Sequence, residues 1–327
     1  MRINYMSNYA VCAFLACLAV VAGCGDRSAG LPDNFDELAP YYNDEVIADY
    51  PEEMAEYRAA FDKSALPFAT AEGTVGRTSV YDSKLLGVPY MPEGFEYPRD
   101  PGDRPLKLLA QVNFADVPPL PNYPDTGILQ FFISDDINSR NQVWGLQFYD
   151  KEPYDARAQF ELMQSQDYFR VVWHESVIED EKQLVRTVPA GPEGLLPVDD
   201  EAKLMFSAGT SYPGPADYRF NKVFGGTGWD FFQQFGDREE NVAVRYMSHV
   251  AIRSIAWIGG YADFTQWDPR ENAPDEEWLL LFELASSSSA DQPSVLWGDA
   301  GIGAFFIRPE DLRNQDFSRV LFTWDNH

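Results

Sequence analysis

The stretch "GILQFFIS" (Gly127–Ser134) returns near the C-terminus as "GIGAFFIRP" (Gly301–Pro309). Phe131-Phe132-Ile133 and Phe305-Phe306-Ile307 stand 174 residues apart. Both runs are short, apolar and bounded by turn-forming residues, which reads as buried strand. Each is preceded by a second apolar block, "LLAQVNF" (Leu108–Phe114) in one case and "LLLFELA" (Leu279–Ala285) in the other. Here the offset is 172, from Leu109 to Leu281. Before those blocks come "LLGVPYMPEGFEYP" (Leu85–Pro98) and "IGGYADFTQWDPR" (Ile258–Arg270). Three blocks in one order at nearly one offset predict a domain built by duplication from two related halves; two units are too few for a solenoid.

The rest of the chain fits a sheet. "QVWGLQFYD" (Gln142–Asp150) alternates as one strand with Trp144, Leu146 and Phe148 on one face. Tyr168–Trp173, Trp278–Leu284 and "RVLFTWD" (Arg319–Asp325, alternating Val320, Phe322 and Trp324) are further strands. The 23 prolines and 23 glycines suit many turns and edges better than a helical bundle. Two helices stand out. Pro51–Phe61 puts Met54, Tyr57 and Phe61 on one face, and Asp155–Gln166 does the same for Phe160 and Met163. The expected fold class is therefore α+β and β-rich, with antiparallel sheets and peripheral helices.

The N-terminus addresses the protein. Val11–Gly23 is a 13-residue apolar run, short of the roughly 20 needed to span a bilayer. It ends in Val21-Ala22-Gly23-Cys24, which resembles a bacterial lipobox. That resemblance implies cleavage before Cys24, a diacylglycerol on its thiol, and a partner in the membrane. If the envelope is Gram-negative, Gly25 in place of Asp then implies the outer membrane, with the protein on its periplasmic or surface face. Residues 1–23 are the expected signal peptide, 24–50 a flexible acidic tether, and 51–327 the folded domain. Cys12 and Cys17 leave with the leader, so the mature body has no disulfide, thiolate metal site or cysteine nucleophile.

Composition narrows the partners. With 52 acidic against 25 basic residues the net charge is −27. Such a body repels nucleic acid; its acidity is either a solvated surface or a draw for cations. Catalytic signatures are missing: no HExxH, no GxSxG, and no Lys after the glycines Gly225-Gly226-Thr227-Gly228, which read as a turn. "SDDINSRN" (Ser134–Asn141) lacks the central glycine and closing glutamate of a calcium loop, so it reads as a hairpin turn. His249 reads as a hydrogen-bonded core histidine. No catalytic residue, metal or cofactor is assigned.

Two polar clusters remain as a candidate ligand site: Gln266, Trp267, Asp268 and Arg270 in one loop, and Trp297 with Asp299 in the other. Two readings compete. In the functional one, the tryptophans wall a pocket and the charged groups orient a polar ligand. In the structural one, Arg270 pairs with a carboxylate such as Asp299 and docks two loops. A hydrolase using Asp268 and Asp299 on a glycan or peptide is a third.

The ordered blocks "LKLLAQVNFADVPPLPNYPDTGILQFF", "IGGYADFTQWDPR" and "VLWGDAGIGAFFIRPEDLRNQDFSRVLFTWD" resemble the YwqG-like family of bacterial proteins, a domain of unknown function. The likeness runs from about Pro51 to Asp325. Members commonly carry Ser-Lys, a hydrophobic residue, Gly-Gly, then Pro-Tyr-hydrophobic-Pro. Ser83–Pro92 keeps most of this, with Leu86 where the first glycine stands. The lipoprotein leader is a second departure, since many relatives look cytosolic. The resemblance implies a β-rich, roll-like α+β fold and no established reaction. Some members look like neighbours of toxin systems, which adds an immunity role to the alternatives. The leading expectation is a lipid-anchored, non-enzymatic binding module.

Overall fold

The computed structural model describes residues 35–42, 46–289 and 291–327. The expected signal peptide and Cys24 lie outside the described residues. Ten strands form one antiparallel sheet: β1 (Leu66–Val75), β2 (Lys84–Leu85), β3 (Lys107–Asn113), β4 (Ile128–Ile133), β7 (Phe169–His174), β8 (Ala202–Ser211), β9 (Ala256–Gly259), β10 (Leu279–Ala285), β11 (Ile302–Ile307) and β12 (Leu321–Asp325). Their spatial order is β12-β11-β10-β9-β1-β8-β2-β3-β4-β7.

That order is a duplication made visible. β1 and β8 pair along their whole length at the centre. Each lies next to the second strand of the other half: β1 pairs with β9, and β8 with β2. Outward from there β2-β3-β4-β7 mirrors β9-β10-β11-β12. The registers agree residue by residue. Leu108 faces Phe132 and Ala110 faces Phe131, with a bulge at Leu109; Leu280 faces Phe306 and Phe282 faces Phe305, with a bulge at Leu281. A bulge adds twist and bends the strand that carries it, so two matched bulges curl both wings the same way. The wings close on each other through Phe131, whose ring lies 5.0 Å from Phe282 and 4.7 Å from its own counterpart Phe305. Beyond them Gln166 Nε2 donates to the Phe317 carbonyl (2.6 Å), and Phe169 meets Phe322 at 5.2 Å. The β-rich α+β roll expected from the sequence is the fold observed.

Helices sit at the edge of this roll. Glu52–Tyr57 is a 3-10 turn leading into α2 (Arg58–Lys63). Met54 and Phe61 pack with α4 (Phe220–Phe224), α5 (Gly228–Phe232) and α6 (Glu239–Val250) in a second, aromatic-rich core. α3 (Ala156–Leu162) is capped by Asp155, whose carboxylate accepts from Arg157 N and Ala158 N, and it buries Phe160 as its spacing predicted. α7 (Pro309–Arg313) follows β11. The stretch expected to be a flexible tether is docked in part. α1 (Phe35–Tyr42) buries Leu38 against Val244 and Met247, and Ala48 N donates to Ser248 Oγ at 3.2 Å. Leu38 offers an apolar anchor that the acidic composition around it obscures. His249 Nδ1 donates to Ala48 O, 2.9 Å away, in line with a structural histidine.

One strand reading needs correction. Gln142–Asp150 is not a single strand but a hairpin, β5 (Gln142–Val143) and β6 (Leu146–Gln147). Trp144 and Gly145 turn the chain with φ of +50° and +93°, the two left-handed positions of a tight hairpin. Trp144 and Leu146 are buried while Phe148, past the turn's influence, is 48% exposed.

On the outer face of the first half, three polar side chains close on one another. Gln111 Oε1 accepts from Tyr90 N (2.8 Å) and from Gln130 Nε2 (2.9 Å). Gln130 Nε2 also donates to Tyr90 O (2.7 Å), and its Oε1 meets His174 Nε2 at 3.1 Å. Burial holds the His174 imidazole down to about 4, so it is neutral.

Candidate functional site

The loop 259–270 folds over the outer face of the second half. It leaves β9 through Gly259 and Gly260, at φ +74° and +68°. A Cβ on Gly260 would stand 2.4 Å from Ser211 Oγ, so this turn admits no larger residue without movement. The matching turn in the first half is Leu86-Gly87, at +53° and +74°. The position where the sequence departs from two glycines is thus a leucine held in the left-handed region.

Asp268 caps the short 3-10 turn Pro269–Asn272 by accepting from Arg270 N at 3.0 Å. The same carboxylate binds the Arg270 side chain (Nε 2.8 Å, Nη2 2.6 Å) and accepts Tyr218 N (3.0 Å). Arg270 Nη2 reaches on to Asp217 at 3.0 Å, and Asp217 takes both ends of the Arg219 fork, at 2.9 and 2.6 Å. Phe306 and Tyr218 sandwich the Arg270 guanidinium at 4.4 and 4.9 Å. Arg270, Asp268 and Asp217 are all buried. Burial opposes the Arg270 charge, but Asp217 and Asp268 outweigh it and raise its pKa above the ordinary range. Burial alone would also raise Asp217; Arg219 and Arg270 instead hold its carboxylate well below the usual range. Four linked charges therefore clamp the 214–220 loop to the 259–270 loop.

This settles the expected partner of Arg270. It pairs with Asp268 and Asp217, not with Asp299, which is exposed and offers its carbonyl to His327 N at 3.5 Å. Trp267 and Trp297 do not face each other across a pocket either. Trp297 is fully buried. It belongs to a cluster with Trp144 (5.7 Å) and Trp324 (6.0 Å, nearly parallel). The two loops nonetheless meet the same C-terminal residues. Asp325 accepts Thr265 N (3.0 Å) and Gln266 N (2.9 Å), Gln266 Nε2 donates to Asn326 O, and Gly298 packs on Asn326.

What Trp297 supports is the floor of a groove of about 430 Å³. Trp324 forms that floor, its indole N–H donated to Val143 O at 2.9 Å. Trp267 (41% exposed) stands on one side; Phe148, Tyr149 and Tyr154 (57% exposed) stand among the other lining residues. Gln266 and Asn326 supply amides, and Asp325 is the one charged group among the described lining residues. Gln266 and Trp267, then, are groove residues; Asp268 and Arg270 lie beneath the loop; Trp297 stands one layer back. The sequence reading missed Trp324 because strand alternation assigns it to the core with Phe322. It missed Tyr149 and Tyr154 because they flank a charged turn with no periodicity.

Three acids crowd the outer face next to this groove. Glu283 Oε1 accepts Asp263 N at 2.9 Å, while Glu283 Oε2 is buried with no partner among the described residues. Asp325 Oδ1 is likewise buried and unpartnered. Burial pushes Glu283 well above the carboxylate range, Asp263 up to about 7 and Asp325 up to about 6. No cluster of these acids with other ligand-type residues has metal-binding geometry among the described residues.

The fold and site define a duplicated β-roll with an aromatic groove where its two halves meet. A family model described as "Domain of unknown function (DUF1963)" matches residues 83–326, and the chain belongs to that family. No curated protein matches it.

Proposed function

We propose that the chain is a lipid-anchored envelope protein whose folded body is a non-enzymatic ligand-binding module. The lipid on Cys24 ties it to the membrane, facing the periplasm or the cell surface. The groove floored by Trp324 and rimmed by Trp267 and Tyr154 takes the ligand. The observation that carries this reading is the exposed aromatic rim. Large aromatics left open around a concavity are a binding surface by default, because leaving them in water forgoes their burial. The buried ion-pair cluster serves it by fixing the loop from which Gln266 and Trp267 project.

The test is a thermal-shift panel of sugars, amines and short peptides on the full chain. A ligand that raises Tm in the parent and not in Trp267→Ala supports the reading. If every stabilising ligand acts equally on both proteins, the groove is not the site. For the anchor, Cys24→Ser should release the protein from membranes; a variant that stays bound contradicts it.

A hydrolase remains as a second reading, moved from Asp268 and Asp299 to Asp263. That carboxyl borders a cavity of about 250 Å³ with Ser254 and Ser286, and burial tunes it to about 7. Turnover of any panel member that Asp263→Asn abolishes would favour it.

A further inference from the structure

We infer that the ligand of this groove is a small organic cation carrying a methylated or primary ammonium group. The inference rests on the binding reading above and names the class of ligand. Five aromatic side chains line the groove: Trp267, Trp324, Phe148, Tyr149 and Tyr154. Aromatic faces attract ammonium groups through the ring quadrupole, most strongly for Trp, and bind them without needing hydrogen bonds. The one charge among the described lining residues is the carboxylate of Asp325; no Lys or Arg shares the lining. Asp325 is held in place rather than free to swing: its Oδ2 is fixed by Thr265 N and Gln266 N.

Charge complementarity therefore selects the occupant. A neutral sugar would also stack on the rings, but it would gain nothing from the negative field of the body. An anion would be repelled by Asp325 and by a body with net charge −27. A cation meets a negative field outside and aromatic faces at the rim and floor, with the Asp325 carboxylate behind them, one oxygen held by the loop amides and the other buried. The size agrees: about 430 Å³ admits a small molecule and not a folded partner. Rigidity favours it too. Trp324 is backed by Trp297 and pinned through its indole N–H, so little side-chain freedom is lost on binding.

The test titrates the full chain with choline and, in parallel, with its uncharged carbon isostere 3,3-dimethylbutan-1-ol, reading tryptophan fluorescence. Choline should bind saturably, and the isostere about ten-fold or more weakly. Trp267→Ala and Asp325→Asn should each weaken choline by about ten-fold, with the circular dichroism of both variants unchanged. The Asp325→Asn change keeps an acceptor for the loop amides, so that variant retains the fold. Equal binding of choline and the isostere would overturn the inference, as would choline binding that ignores both substitutions. If an oligosaccharide binds through Trp267 while choline does not, the cation inference falls and the groove reading stands. If no ligand depends on Trp267, both fall.

Discussion

The first half carries His174 opposite Ile128; the second carries Asp325 opposite Ile302, and Ile128 and Ile302 are counterparts. One strand inward, Gln130 is matched by Ala304, and beyond it Gln111 by Glu283. In the first half three neutral side chains bond to each other and to the Tyr90 backbone. In the second half the loop bond is kept, from Asp263 N to Glu283, but Ala304 removes the bridging amide. Two carboxyls are left with buried oxygens that nothing among the described residues satisfies. The matched tryptophans differ in the opposite sense in their hydrogen bonds. The Trp173 indole N–H is buried without a partner among the described residues, and that of Trp324 is donated to Val143 O. They differ in their surroundings as well. Trp173 packs on Phe114 and Phe317, whereas Trp324 floors the groove. After duplication, one outer face became a closed structural network and the other kept unsatisfied chemistry beside an open surface. Unsatisfied buried polar groups lower stability, and they persist where something else requires them.

The largest effect should come from the clamp that has no counterpart in the amide network. Arg270→Met leaves Asp268 buried without its cation and Asp217 with Arg219 alone, and should cost about 3–5 kcal/mol in urea unfolding. An unfolding midpoint close to the parent's would mean the ion pairs are not what holds the loop. Next, Gln111→Ala breaks four bonds of the first half's network and should cost about 1–3 kcal/mol.

The matching change in the second half should have the opposite sign. Glu283 is raised by burial, so the folded state holds its proton more tightly than the unfolded one. Its stabilising share is full below the unfolded pKa of about 4.5 and is lost as pH rises towards the folded value. Glu283→Gln keeps the acceptor for Asp263 N and never ionises. It should therefore match the parent near pH 4 and exceed it by about 1–2 kcal/mol at pH 8. A Glu283→Gln variant less stable than the parent at pH 8 would show that the glutamate is ionised and paired. Smallest of all is Leu86→Gly. Relief of the left-handed leucine, about 1 kcal/mol, is offset by lost packing of a half-buried side chain, leaving a change within about 0.5 kcal/mol.

Much of the frame was legible before the structure. Phe131 and Phe305 announced the duplication because buried strands keep their apolar identity, and Leu109 and Leu281 mark the same bulge in both wings. The candidate site was legible only as a loop. Gln266 and Trp267 face the groove, yet the partner of Arg270 is Asp217, 53 residues upstream in a proline- and glycine-rich segment that no periodicity ties to it. Trp297 and Trp324 differ in exposure because of where the sheet ends, and residue type carries no signal of that. The Ala304 gap gains meaning only against Gln130, once registers align the halves.

The most direct test of unequal halves follows the indole N–H signals of all eight tryptophans by NMR while choline is added. Trp267 and Trp324 should shift together along one saturable curve, with Trp173 unmoved. Below a pH of about 6, where Asp325 takes up its proton, the same curve should move to higher choline concentration. Shifts at Trp173 that equal those at Trp324, or no shift at either groove tryptophan, would contradict the assignment of binding to the groove.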